Sequence, residues 1–283
     1  MAGTLFVVAT PIGNLEDITA RALRILGEVS VIAAEDTRRT HHLLSRYAIA
    51  TPTTSLHEHN EGRKLTALVE RLARGEHVAL VSDAGTPTIS DPGQRLIRAA
   101  IDAGLRVEPI PGPSALVSAI AASGIAGQSF TFLGFPPNRS KDRKNWMAEL
   151  KAAGRPVVFF EAPHRIRRTL VEIRDSIGDR PVCVARELTK IHEEFLRGTI
   201  SAVLERLLAP LGEFTVVVDV GHETEQEQGE PISAVDLAIE FGRMVDSGGV
   251  SRRLALGRLA EGQSDGAFST MLPAPDGRRS FFS

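Results

Sequence analysis

Ten short apolar runs, rich in β-branched residues, alternate with longer amphipathic stretches from the start of the chain to about residue 220. This alternation limits the possible folds more than any other feature. The runs have the length of strands, the stretches between them repeat at helical spacing, and strands separated by helices build α/β sheets. A first series of strands is expected at 5–9, 29–33, 53–56, 78–81 and 107–110, with helices between them such as 18–26 and 63–72. A second series is expected at 130–133, 157–160, 182–185, 195–199 and 214–220, with helices at 143–152 and 165–176. The loop GFPPNRSK at 134–141 is too rich in Gly, Pro and polar residues to lie inside an element. A boundary therefore falls between Ser123 and Lys141, placed near Ala126. The expectation is an N-terminal α/β domain over 1–125 and a C-terminal α/β domain over 126–221. Residues 222–283 follow as a linker and small helical tail, beginning with the polar stretch GHETEQEQGE at 221–230 and carrying amphipathic patterns at 235–244 and 252–259.

Composition narrows the class of protein. With 42% hydrophobic and 24% charged residues, the chain has an ordinary globular balance, and no apolar run approaches the roughly 20 residues of a membrane-spanning helix. A single cysteine, Cys183, can form neither an intramolecular disulfide nor a cysteine-based zinc site, so a reducing cytoplasm without a signal peptide is expected. The formal charge of −2 provides no general attraction for phosphates, so a polyanionic partner must be met locally. Residues 138–168 carry nine Lys and Arg against Asp142, Glu149 and Glu161, which reads either as solvated helix faces or as a phosphate-contacting surface.

The informative segments are four loops that each follow a strand of the first series, where open α/β sheets bind their ligands. The first runs from Ala9 to Asp17, with Pro11 fixing φ, Gly13 permitting close approach and Asp17 placed to cap a helix. The second, 34–42, gathers Glu35, Asp36, Arg38, Arg39, His41 and His42. The third, 81–93, reads VSDAGTPTISDPG, in which eleven of thirteen residues are small, Pro or Asp. Such a run leaves backbone amides and carbonyls available to a ligand, while Asp91-Pro92 reads as a helix start. The fourth, PGPSA at 111–115, delivers a helix N-terminus with Ser114 beside it. Neither a dinucleotide-binding G-x-G-x-x-G nor a phosphate-binding G-x-x-x-x-G-K-[ST] occurs, and HEHNE at 57–61 lacks H-E-x-x-H spacing, so no metal site is expected.

Taken in order, ATPIGNLEDIT, AAEDTRRT, SLHEHNE, VALVSDAGTPTISDPG and PIPGPSA resemble the family of ribosomal RNA small subunit methyltransferase I, within the tetrapyrrole methylase superfamily. The resemblance covers about residues 3–220. Residues 248–261 look like the start of that family's C-terminal helical module, and 262–283 depart from it. The resemblance implies two dissimilar α/β domains with S-adenosyl-L-methionine in the cleft between them, a homodimer, and 2′-O-methylation of a cytidine ribose in the decoding region of small-subunit (16S) rRNA. It implies that Pro11 closes the first loop, that Ser82, Asp83, Thr86 and Ile89 contact the cofactor, and that Ser114 and Ala115 cover its other side. Phe160 and Ala185 then make the adenosine-side contacts from the second domain.

Methyl transfer is an in-line displacement, so alignment dominates, and the proton of the ribose hydroxyl needs a nearby carboxylate or neutral lysine. Asp36, Glu187 and Lys190 are the candidates for that catalytic role. Arg38, Arg39, Lys141, Arg143, Lys144 and Arg186 are the candidate RNA contacts, while Trp146 reads as core more readily than as a stacking platform. Two other readings stay open: a methylase of the same superfamily acting on a corrinoid precursor or a protein, and a non-catalytic RNA-binding assembly factor on the same fold.

Overall fold

In the computed structural model, which describes residues 2–57, 60–125, 127–207 and 212–221, both series of apolar runs become sheets. Strands β1 (Thr4–Val8), β2 (Val31–Ala34), β3 (Thr53–Ser55), β4 (Val78–Val81) and β5 (Arg106–Ile110) pair in the order β3-β2-β4-β1-β5, every pair parallel. Parallel pairing requires a return path, and the helices α1 (Ala20–Glu28), α2 (Thr37–Arg46), α3 (Glu61–Ala73) and α4 (Gln94–Asp102) supply it between successive strands. Covering both faces explains why β4 reads VALV without polar alternation. Val78 and Leu80 join one cluster with Leu68, Leu72 and Leu96, while Ala79 and Val81 join the other with Ile25, Leu26 and Leu44.

The second sheet follows different rules. Strands β6 (Thr131–Phe132), β7 (Val157–Glu161), β8 (Pro181–Arg186), β9 (Glu194–Thr199) and β10 (Phe214–Val218) take the order β6-β7-β10-β8-β9, with only β6–β7 parallel. One face packs on α6 (Ser140–Ala152), α7 (Ile166–Ile177) and α8 (Ile200–Arg206) through Trp146, Leu150, Phe159, Leu170, Val184 and Val216. The other face is covered by α5 (Ala115–Ser123), whose Ala119 and Ile120 pack on Val158, Cys183 and Val217. Helix α5 leaves the last strand of the first sheet and lands on the second. Arg197 of β9 holds its end, donating to the carbonyls of Ala122 at 2.6 Å and Ser123 at 3.3 Å. The two sheets are thus joined through one apolar cluster.

Several local expectations change. Val29 is the C-cap of α1, and β2 starts at Val31. The expected loop 34–42 becomes helix from Thr37, because Thr40, Leu43 and Leu44 bury one face and Asp36 caps the start by accepting from the Arg38 amide at 2.8 Å. Asp17 caps nothing. Asn14 caps a single 3-10 turn at Leu15–Asp17, and Thr19 caps α1 through the Ala22 amide. Asp91-Pro92 does not begin α4 either. The helix starts at Gln94 after Gly93, whose φ of 115° suits glycine, and its first amides are capped from another helix. Oε1 of the buried Glu61 accepts from Arg95 N at 3.1 Å and Leu96 N at 3.3 Å. Trp146 is core, donating its Nε1 hydrogen to the Leu133 carbonyl. The expected boundary at Ala126, the residues Glu58 and His59 of HEHNE, the linker and the patterns at 235–244 and 252–259 lie outside the described residues.

Candidate functional site

A parallel sheet brings all the loops after its strands to one edge, and here the loops tie themselves together. Thr10 and Gly85 exchange backbone hydrogen bonds of 2.9 Å, joining the first loop to the third. Glu35 accepts from the Asp83 amide at 3.2 Å while Asp83 accepts from the Asp36 amide at 2.9 Å, which joins the second loop to the third. These loops form one wall of a cleft of about 400 Å³, through Ile12, Glu35, Asp83, Thr86, Ile89 and Asp91, with Ser114 and Ala115 at the start of α5. The opposite wall comes from the second sheet, through Phe160 and Glu161 of β7, Glu187, Leu188 and Lys190 after β8, and Glu213 to Thr215 at β10. A volume of this order suits a small-molecule cofactor.

The lining has six carboxylates, Glu35, Asp83, Asp91, Glu161, Glu187 and Glu213, against Arg39 and Lys190. On the first wall, burial pushes Asp91 up to about 6, only partly offset by a hydrogen bond from Ser82, and Glu35 and Asp83 add like charge. Burial also raises Glu35, against the hydrogen bond from the Asp83 amide. On the second wall Glu161 and Glu187 are each paired with a cation. Glu161, 1% exposed, meets Arg165 at 2.6 Å and accepts from the Thr169 hydroxyl and the Ala162 amide. Glu187 bonds Lys190 Nζ at 2.9 Å and the Glu213 amide, and the lysine holds its carboxyl below the ordinary range.

Backbone strain gathers at the same place. Of the five non-glycine residues with positive φ among the described residues, Thr88 (73°) and Ser90 (68°) lie in the third loop, and Glu187 (49°) and Thr189 (64°) in the loop after β8. Each costs of the order of 1 kcal/mol, and such outliers collect where structure serves binding. An aromatic group adds apolar surface: Phe160 contacts Phe132 at 5.0 Å edge-on and Phe135 at 5.4 Å, with Phe135 half exposed.

The candidate residues separate by position. Asp83, Thr86, Ile89, Ser114, Ala115 and Phe160 line the cleft, with Ser114 also capping α5. Pro11 and Ser82 line a smaller neighbouring recess with Arg39 and His42, and Ala185 is fully buried in β8 beside Thr215. Glu187 and Lys190 line the cleft, whereas Asp36 stands outside its lining. Its carboxyl is pulled down to about 2 by hydrogen bonds from the Arg38 side chain and amide. Arg38 is 89% exposed, and Arg39 pairs with Asp83 at 3.5 Å. Lys141 and Lys144 are exposed on α6. Arg143, from the same helix, is buried, donating to Glu172 at 2.6 Å and to the Thr169 hydroxyl at 2.7 Å, so its guanidinium holds α6 to α7. Arg186 pairs with Glu194 at 2.6 Å. Glu35 and Asp91 are the additions made by the structure. Glu35 was visible only as one charge among several, and Asp91 looked like a helix cap until Glu61 took that role.

The model of the Tetrapyrrole (Corrin/Porphyrin) Methylases matches residues 4–204. The chain is 50% identical over 218 residues to "Ribosomal RNA small subunit methyltransferase I" of Thermotoga maritima, covering 76% of this chain and 98% of that one. It is 46% identical over 232 residues to the protein of the same name from Bacillus subtilis, covering 81% and 79%. Among solved structures it is similar to the methyltransferase CobJ, with TM-score 0.60, 20% identity and coverage of 78% and 95%. It is also similar to uroporphyrin-III C-methyl transferase from Thermus thermophilus complexed with S-adenyl homocysteine, with TM-score 0.55, 15% identity and coverage of 77% and 98%.

Proposed function

We propose, from the premise that the chain belongs to the tetrapyrrole methylases and within them to the ribosomal RNA small subunit methyltransferase I family, that it methylates small-subunit rRNA using S-adenosyl-L-methionine. The finer reading is transfer to the ribose 2′-hydroxyl of a cytidine in the decoding region. The observation that carries the proposal is 50% identity across 98% of a relative of that name, in a chain whose third loop lines a cleft of cofactor size.

The residues present fit the cofactor. Six carboxylates against two cations complement a sulfonium, and Ile89, Phe135 and Phe160 offer apolar surface for a purine. Asp83, Thr86, Ser114 and Ala115 would hold it from the first wall and Phe160 from the second. When bound, the cofactor supplies an activated methyl group. This chain must align the acceptor oxygen and remove its proton. Asp91, with its carboxyl near 6, matches that task at neutral pH, and burial keeps it there, with smaller contributions from the charges of Glu35 and Asp83. Glu187 and Lys190 hold the facing wall.

The same acid-rich lining repels phosphates, so the RNA backbone stays on the rim while a ribose reaches in. Arg38, Arg39, Lys141 and Lys144 are the rim contacts of this reading. We further read the chain as a cytoplasmic homodimer; among the described residues no helix is long and apolar enough to cross a membrane.

The test is incubation of the protein with labelled S-adenosylmethionine and small subunits lacking the modification, followed by nuclease digestion and mass spectrometry. Label on a cytidine 2′-oxygen is expected. A double change of Lys141 and Lys144 to Glu should weaken labelling and flatten its salt dependence while sparing cofactor affinity. Label on a base would overturn the 2′-hydroxyl reading, and cofactor binding with no label on RNA would overturn the rRNA reading in favour of a corrinoid or protein substrate.

A further inference from the structure

Two loops that face each other across the cleft also touch directly. The amide of Asn14, in the loop after β1, donates to Oγ1 of Thr189, in the loop after β8, at 2.9 Å across 175 residues of sequence. Thr189 reaches this position with φ at 64°, and its own amide is held by Glu193 Oε2 at 2.7 Å. The approach depends on Gly13. A Cβ there would fall 2.6 Å from Lys190 Cγ, 2.7 Å from the Leu188 carbonyl oxygen and 2.8 Å from Thr189 Oγ1. Immediately beside the contact, Glu187 and Lys190 form their ion pair on the cleft wall, and Leu188 packs against Ile12 and Ala115.

We infer that Thr189 is a positioning residue: its hydroxyl oxygen, accepting from the Asn14 amide over the bare face of Gly13, sets the placement of the Glu187–Lys190 pair in the methyl-transfer cleft. An ion pair between two partly exposed side chains is weakly directional, and Glu187 itself sits at a strained φ of 49°, so the loop does not hold that geometry unaided. An anchor in the first half of the chain converts a tolerant charge pair into a fixed wall. Positioning of this kind acts on the rate of the aligned complex more than on substrate affinity.

The inference rests on the methyltransferase reading, and the experiment separates the two. Thr189→Val keeps the shape and removes the acceptor, Thr189→Ser restores it, and Gly13→Ala wedges the loops apart. Amide hydrogen exchange at Asn14 is measured with S-adenosylmethionine affinity and single-turnover RNA methylation. Thr189→Val should speed Asn14 exchange and lower the turnover rate roughly tenfold with little change in the RNA KM. Thr189→Ser should return both to wild-type values, and Gly13→Ala should impair both at least as much as Thr189→Val. Wild-type exchange and rate in Thr189→Val, or an impaired Thr189→Ser, would overturn the inference. If the wild-type protein methylates no RNA, the functional reading fails, while Asn14 exchange and cofactor affinity still decide whether Thr189 anchors the loop.

Discussion

The two walls of the cleft handle buried acid in opposite ways. The first wall, from the parallel sheet, carries Glu35 and Asp91 with their carboxyls raised by burial, held by amides and a hydroxyl. The second wall, from the mixed sheet, gives each of its principal acids a cation, Arg165 for Glu161 and Lys190 for Glu187. An acid raised toward neutrality can exchange protons, whereas a paired one remains a fixed charge. On the proposed function, the difference divides the labour of the cleft into a reactive wall and a rigid one.

The largest effect should come from breaking the rigid wall. Glu161→Leu leaves Arg165 without its carboxylate, and loss of one partner from a buried pair costs about 3 kcal/mol or more. Thermal unfolding should shift down by roughly 10 °C for a chain of this size. A change of only a degree or two would mean that Glu161 is not the anchor of that wall.

An intermediate effect is expected at Asp91. Its folded pKa of about 6 lies above its ordinary value of 3.8, so the protonated form favours the folded chain. The stability it contributes is intact below about pH 4 and is lost as the pH rises through about 6. Asp91→Asn should flatten urea-unfolding stability across that window and abolish the rise of single-turnover methylation through pH 6. An unchanged pH profile for both would remove the distinction between the walls.

The smallest effect tests how the paired wall is seated. Gly212 has φ of 85°, and a Cβ there would lie 2.1 Å from Glu187 Oε1. Gly212→Ala should cost about 1 kcal/mol and loosen the bond from the Glu213 amide to Glu187, read as faster Glu213 amide exchange. Unaltered exchange would show that Glu187 is held by Lys190 alone.

Much of the first wall was legible in the chain and little of the second was. The run Ser82–Gly93 shows its exposed, strained backbone through its own small residues, and the apolar runs before and after it locate the strands. The loop 187–190 reads as ordinary surface charge, because what strains and seats it comes from Gly13 and Gly212, far away in sequence. Helix α2 was hidden for a related reason: TRRTHHLLSR is polar, and its short apolar face has meaning only once the first sheet lies beneath it. Arg143 shows the same limit. Its neighbours Lys141 and Lys144, two residues before it and one after, face solvent while its guanidinium is locked between helices, and composition treats the three alike.

The capping of α4 by Glu61 has a consequence for how this part of the molecule opens. A helix that carries its own cap can fray and reform independently, but the first amides of α4 depend on a carboxylate at the head of α3. Opening of α3 removes that acceptor and releases the start of α4 together with the end of the loop that carries Asp91. The two helices therefore open as a single unit, and the reactive wall shares the lifetime of a helix that never touches the cleft.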